Sequence, residues 1–140
     1  MLFRSDLTRE RARLAESGLA FVNPRHPDFP PLLREIYDPP TGLYLRGPLR
    51  PTERTIAIVG TRHPTLHGRE LAHQWAAGLA KRGWCVASGL ARGIDTAAHE
   101  GALSAGGPTA AVLGCGPDLV YPPENLELAR RIAETGVVIR

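Results

Sequence analysis

Three short segments carry glycines where a strand-to-helix turn would expose backbone: Gly60-Thr61-Arg62, Ser88-Gly89-Leu90-Ala91-Arg92-Gly93-Ile94-Asp95 and Gly114-Cys115-Gly116. Each follows a short apolar run and opens into a helix-like pattern. In a parallel α/β sheet all three lie at the carboxyl ends of strands, the edge at which such folds bind ligands. Glycine lets backbone approach a ligand closely, helix N-termini present N–H groups, and Arg62 and Arg92 add positive charge. That combination suits phosphate. Each turn also has a purely structural alternative. Gly60–Arg62 reads equally as a tight turn with a solvent-facing arginine. Asp95 is placed to cap the helix that follows, bonding its first N–H groups and so ordering the loop or orienting Arg92.

Other chemistries find little support. Gly114-Cys115-Gly116 begins like a dinucleotide fingerprint, but Leu119 occupies the place of the third glycine and Pro117 disturbs the helix entry. No GxxxxGK[ST] loop is present, and Ser88 lacks the flanking glycines of a nucleophile elbow. The two cysteines, Cys85 and Cys115, form no CxxC pair, so they read as buried free thiols of a cytosolic protein rather than zinc ligands. Five histidines include no HExxH pattern; His99 is singled out because it falls one turn beyond Asp95. In Tyr121-Pro122-Pro123-Glu124-Asn125, Tyr121 either offers an aromatic face to a base, as single-strand binders do, or packs against the sheet edge.

The elements that would position these residues follow a regular pattern from Thr55 onward. Apolar runs end at Gly60, Ser88 and Gly114, and a fourth, Val137-Val138-Ile139, has barely begun when the sequence reaches Arg140. Between them lie helical patterns: Leu71, Trp75 and Leu79 as one helix face, an alanine-rich stretch through Ala97, Ala98 and Leu103, and Leu126, Ala129, Ile132 and Ala133 capped by Asn125. Alternating strands and helices predict β-α-β units and a mainly parallel sheet, in a Rossmann-like three-layer α/β sandwich. Continuous apolar runs predict strands covered on both faces, with Val137–Ile139 as a candidate edge. Residues 1–54 read as an N-terminal extension: a charged helix over 5–17 capped by Ser5 or Asp6, a strand at Leu19–Val22, a short helix around Leu32–Ile36, a strand at Leu43–Gly47 and a linker to residue 53. Residues 55–140 read as the Rossmann-like domain, incomplete at its C-terminal end.

The 140 residues suffice for one domain, with an ordinary 43% apolar and 22% charged content. No stretch approaches the ~20 apolar residues of a membrane span, and the first residues lack the apolar core of a signal peptide. A formal charge of +3 is mildly basic; Lys81 is the sole lysine, and either phosphate recognition by arginine forks or codon bias accounts for the arginines.

The sequence resembles the DNA-processing protein A (DprA, or Smf) family. The resemblance is carried by Tyr37-Asp38-Pro39-Pro40 with Leu43-Tyr44-Leu45-Arg46-Gly47, by Ala57-Ile58-Val59-Gly60-Thr61-Arg62, and by Ser88-Gly89-Leu90-Ala91-Arg92-Gly93-Ile94-Asp95 followed by His99. It continues through Gly106-Gly107-Pro108-Thr109, Ala111-Val112-Leu113-Gly114-Cys115-Gly116 and Tyr121-Pro122-Pro123-Glu124-Asn125, and covers about residues 19–140. It implies a cytosolic, non-enzymatic protein without cofactor or metal, which binds single-stranded DNA, assists loading of the RecA recombinase in natural transformation, forms dimers and does not engage membranes. It also implies that Arg62 is the prominent phosphate ligand and that the Ser88–Ile94 backbone lines the same pocket. The candidate site is thus Gly60, Thr61, Arg62, the segment Ser88 to Asp95, Gly114, Gly116, Tyr121 and Asn125. The family pattern continues with a Ser-Glu segment and an Arg-Asn-Arg motif, absent from these residues, and most members carry more sequence ahead of residue 1, so a partial chain is expected. The rival expectations are a Rossmann-like nucleotide binder or nucleoside-monophosphate hydrolase, whose PGGxGTxxE motif is missing here, and a protein-interaction scaffold.

Overall fold

The computed structural model describes residues 9, 12–48, 54–116 and 119–140. The expected caps Ser5 and Asp6, linker residues 49–53 and Pro117 lie outside the described residues. Residues 12–16 are helical (α1), followed by β1 (Ala20–Val22), α2 (Pro31–Arg34), β2 (Leu43–Arg46), β3 (Thr55–Ala57), α3 (Leu66–Lys81), β4 (Cys85–Ser88), α4 (Ile94–Ser104), β5 (Thr109–Val112), a 3₁₀ turn (Pro123–Asn125), α5 (Leu126–Thr135) and β6 (Val137–Ile139). No helix among the described residues is long and apolar enough to cross a membrane.

The strands form one sheet in the order β1-β2-β6-β5-β4-β3. The pairs β3–β4, β4–β5 and β5–β6 are parallel, whereas β1–β2 and β2–β6 are antiparallel. Because the parallel strands follow chain order, right-handed crossovers bring successive helices to the same face. Ala76 and Ala80 of α3 and Ala98 and Ala102 of α4 pack with Val86, while Leu128, Ala129 and Ile132 of α5 pack with Ala111 and Val138. The opposite face gathers Cys85, Ala110, Val137 and Ile139 with Val22, Leu45 and Phe29, and Leu33 of α2 adds a thin third layer. Burial on that face pushes the Cys85 thiol up to about 11. Cys115, by contrast, is only half-buried.

Three expectations are corrected. The run Val137–Ile139 is interior, because Leu45 and Arg46 pair with Ile139 and Val138 and the Tyr44 and Arg140 backbones exchange bonds of 2.8 and 2.9 Å. The sheet's edges are β1 and β3, and on β3 Ile56 and Ala57 are exposed. On α3 the buried stripe is Ala72, Ala76 and Ala80, one position past the expected face, and Trp75 is exposed. The small alanines allow α3 and α4 to approach until Gly101 lies against the His73 backbone, a distance that Trp75 would prevent. His99 faces inward from α4, with no exposed surface; its Nδ1 lies 2.7 Å from Thr109 Oγ1, which donates at 2.6 Å to the Val86 carbonyl. It ties α4 to β5 and β4 and does not reach the strand-end cleft.

Candidate functional site

The three glycine turns meet at the carboxyl ends of β3, β4 and β5, and each is fixed there by identifiable bonds. Ile58 donates to the Ala87 carbonyl at 2.9 Å, and the Ser88 hydroxyl donates back to the Ile58 carbonyl at 2.6 Å, joining the ends of β3 and β4. Ser88 is therefore turned into the protein. Thr61 accepts the His63 N–H on its side chain (3.1 Å) and the Ile94 N–H on its carbonyl (3.2 Å), which seats the first turn on the start of α4. Gly93, at φ +86, makes that seating possible, because a Cβ there would overlap the Thr61 carbonyl.

Asp95 does not cap α4, as expected from its position. Gly93 occupies the N-cap without a side-chain bond, and Asp95 lies within the first turn. Its buried carboxylate reaches back to accept N–H groups from Gly89 (3.1 Å) and Ala91 (3.4 Å). Thr96 completes the brace by donating to the Ala91 carbonyl at 2.7 Å. Asn125 stands at the N-cap of α5, yet its side chain does not cap that helix either. Instead its amide donates to the Leu90 carbonyl at 2.9 Å and to Thr96 Oγ1 at 3.0 Å. Between these braces Leu90 adopts φ +58, a left-handed conformation that costs a non-glycine residue energy and persists where its surroundings impose it. Here the Leu90 side chain is fully buried in the core with Leu113 and Leu128. Replacing Asp95 with alanine orphans two loop donors, and is expected to lower the unfolding free energy by about 2 kcal/mol. Urea denaturation checks this; an unchanged midpoint would show that the loop holds its shape without the carboxylate.

A cleft of about 450 Å³ opens between the turns. Its lining takes Arg62, Gly89, Ala91 and Arg92 from the first two turns, and Leu113, Gly114, Cys115, Leu119, Tyr121 and Pro122 from the end of β5 and the segment after it. Of the expected residues, Arg62, Gly89, Ala91, Arg92, Gly114 and Tyr121 thus meet at the cleft. Gly60, Thr61, Ser88, Leu90, Gly93, Ile94, Asp95 and Asn125 are not among its lining; all but Gly60 make the backbone, side-chain or core contacts just described, and Gly116 contributes its carbonyl to Leu119 N–H and to Arg140. The apolar lining by Leu113, Leu119 and Pro122 was not anticipated, nor was Cys115, whose thiol donates to the Leu119 carbonyl at 3.0 Å. Their signal in the sequence is only adjacency to the third glycine turn.

The donors available to an anion differ from those first envisaged. Asp95 and Thr61 already take the N–H groups of Gly89, Ala91 and Ile94. Among the described residues, the Gly114 and Cys115 N–H groups have no protein acceptor, and Arg62 has no carboxylate partner. Arg92 is different: its Nε donates to the Glu124 carboxylate, and both side chains are about half exposed. The bond from Arg92 holds the Glu124 carboxyl below the usual carboxylate range. Of the two cleft guanidiniums, Arg62 is therefore the one that no carboxylate of the described residues already holds.

A mainly parallel sheet whose strand-end turns enclose an arginine-bearing cleft defines a Rossmann-like α/β domain. The chain belongs to the family of DNA recombination-mediator protein A, whose family model matches residues 20–140. It is 44% identical over 124 residues to protein Smf of Synechocystis sp., covering 85% of this chain and 31% of that protein. It is 35% identical over 139 residues to DNA processing protein DprA of Bacillus subtilis, covering 98% of this chain and 47% of that protein. The chain thus spans less than half the length of these curated relatives. Among solved structures it is similar to DprA of Streptococcus pneumoniae, with a TM-score of 0.78, 33% identity, and coverage of 92% of this chain and 46% of that one. It is also similar to DNA processing protein A of Helicobacter pylori, a structure concerned with that protein's single-stranded DNA binding mode, with a TM-score of 0.73, 29% identity, and coverage of 86% and 54%.

Proposed function

We propose that this chain is a single-stranded DNA-binding unit of the DprA type, acting in recombination and natural transformation as a binding protein rather than an enzyme. The observation that carries the reading is the placement of Arg62, without a carboxylate partner among the described residues, in a cleft built from the three strand-end turns. An arginine fork with adjacent backbone donors suits a phosphodiester, and such contacts position a strand without reading its bases. The apolar part of the lining, with exposed Tyr121, suits the nucleoside part of the same ligand. In the full-length protein we place this unit in a cytosolic homodimer that assists RecA loading, and we divide the sequence into an extension over residues 1–54 and a domain over 55–140.

Arg62→Ala is expected to weaken binding of a fluorescent oligo-dT about tenfold and to flatten the dependence of log affinity on log salt by about one unit. Fluorescence anisotropy at two salt concentrations checks both numbers. A loss that depends on base identity, with the slope unchanged, would overturn the phosphate role. Mononucleotide binding as tight as that of the oligomer would replace the strand by a nucleotide as ligand, since a strand binder gains from linked phosphates.

A further inference from the structure

The two arginines of the cleft are not equivalent. Arg62 has no carboxylate partner among the described residues, whereas Arg92 already holds an anion, the carboxylate of Glu124. This pair joins positions 32 residues apart. It is also anchored at both ends. Arg92 follows the loop braced by Asp95 and Thr96, and Glu124 precedes Asn125, which is buried and bonded to Leu90 of that loop and to Thr96 of α4. The 3₁₀ turn Pro123–Asn125 therefore clamps the glycine loop and delivers a carboxylate to its arginine in one step. Folding of the loop brings the two charges together without any external ligand.

Resting on the strand-binding reading above, we propose that Glu124 is an internal counter-anion for Arg92, which a strand phosphate must displace to engage that guanidinium. Carboxylate and phosphodiester are the same kind of partner for an arginine edge, each accepting charge-assisted N–H bonds. While Glu124 holds Arg92, the pair contributes almost no net charge to the cleft, and a phosphate placed beside it meets a carboxylate as well as a guanidinium. Arg62 sets the basal affinity, and the Arg92–Glu124 pair holds a second phosphate contact in reserve. Both side chains are about half exposed, so the exchange requires no unfolding. Screening by water and salt keeps the internal pair weak enough to be exchanged.

The test is a double-mutant cycle on oligo-dT binding, with wild type, Glu124→Gln, Arg92→Ala and the double variant titrated across a series of salt concentrations. Glu124→Gln is expected to tighten binding roughly three- to tenfold at low salt, as an unmasked arginine neutralises one more phosphate, and to steepen the salt slope by about one unit. Arg92→Ala alone is expected to weaken binding about two- to fivefold, because it leaves the Glu124 carboxylate uncompensated beside the strand, and the double variant is expected to return to near the wild-type affinity. A double variant that binds as tightly as Glu124→Gln would mark a general charge effect and overturn the proposal. So would a loss of affinity in Glu124→Gln with the wild-type slope, which would make Glu124 a support for Arg92 rather than its competitor. The same four proteins are titrated with inorganic tripolyphosphate, followed by the amide resonances of Gly89 to Gly93. If oligo-dT binds none of them, the strand reading fails, and the tripolyphosphate series decides the counter-anion role alone. Tighter tripolyphosphate binding by Glu124→Gln, dependent on Arg92, upholds it, and equal affinities overturn it.

Discussion

Gly101→Ala is expected to destabilise the domain by about 2 kcal/mol, against the direction that helix propensity alone would give. Inside a helix, alanine is favoured over glycine by about 1 kcal/mol, and Gly101 lies well within Ile94–Ser104. Yet a Cβ at Gly101 would overlap the His73 carbonyl and crowd its Cα at 2.9 Å. Both are backbone of α3, so no side chain can swing aside, and the helices must separate. Separation opens the contacts among Ala76, Ala80, Ala98 and Ala102, all nearly or fully buried. Overpacking of this kind costs up to about 3 kcal/mol, which outweighs the propensity gain. Gly78→Ala on α3 is the internal control: its Cβ would meet only the flexible Arg82 Nη1 at 3.5 Å, and propensity alone predicts a gain of up to about 1 kcal/mol there. Urea unfolding of the two variants should therefore move in opposite directions. Two shifts of the same sign would mean that α3 and α4 are not held at the distance seen here.

The α3–α4 contact also shows where sequence reading succeeds and where it stops. Apolar runs closed by glycine at positions 60, 89 and 114 were enough for β-α-β units, because strand ends and helix starts are local events. The face of α3 was misassigned because Leu71, Trp75 and Leu79 are the more hydrophobic set, while the closeness of α4 selects the smaller alanines. Strand β6 was expected at the edge because its partner β2 lies over 90 residues earlier, and antiparallel pairing across that distance leaves no periodic signature. The same limit governs the cleft. Asp95 and Asn125 both sit at positions where an acid or amide ordinarily caps a helix, and their actual partners lie in a loop four to 35 residues away. Glycine and arginine in the turns were legible as anion chemistry; the carboxylate that meets Arg92 was not, since nothing in the spacing of Glu124 distinguishes it from a surface charge.

His99 makes the fold acid-sensitive, and this is the second large effect to expect. Its ring is fully buried, and burial lowers its pKa from the ordinary 6.5 to about 4 in the folded protein. The unfolded chain therefore binds the proton more tightly than the folded one. The corresponding stability is fully present above pH 6.5 and is lost progressively as pH falls through 6.5 toward 4. At about 1.4 kcal/mol per unit, the loss amounts to about 2 kcal/mol by pH 5 and about 3 kcal/mol when the transition is complete. Carboxylates add their own acid dependence, mostly below pH 5, so a comparison between pH 7 and pH 5 isolates the histidine. His99→Gln retains a polar group opposite Thr109 but cannot take up a proton in this range. It is expected to be less stable than wild type at pH 7, through the altered bond to Thr109, and to lose almost nothing further at pH 5. Urea midpoints for both proteins at the two pH values give the result directly. Parallel losses in wild type and His99→Gln would show that the acid sensitivity resides elsewhere and that His99 is accommodated in its charged form. A wild-type loss that His99→Gln removes would identify the imidazole between α4, β4 and β5 as the group whose protonation opens the core beneath the glycine turns.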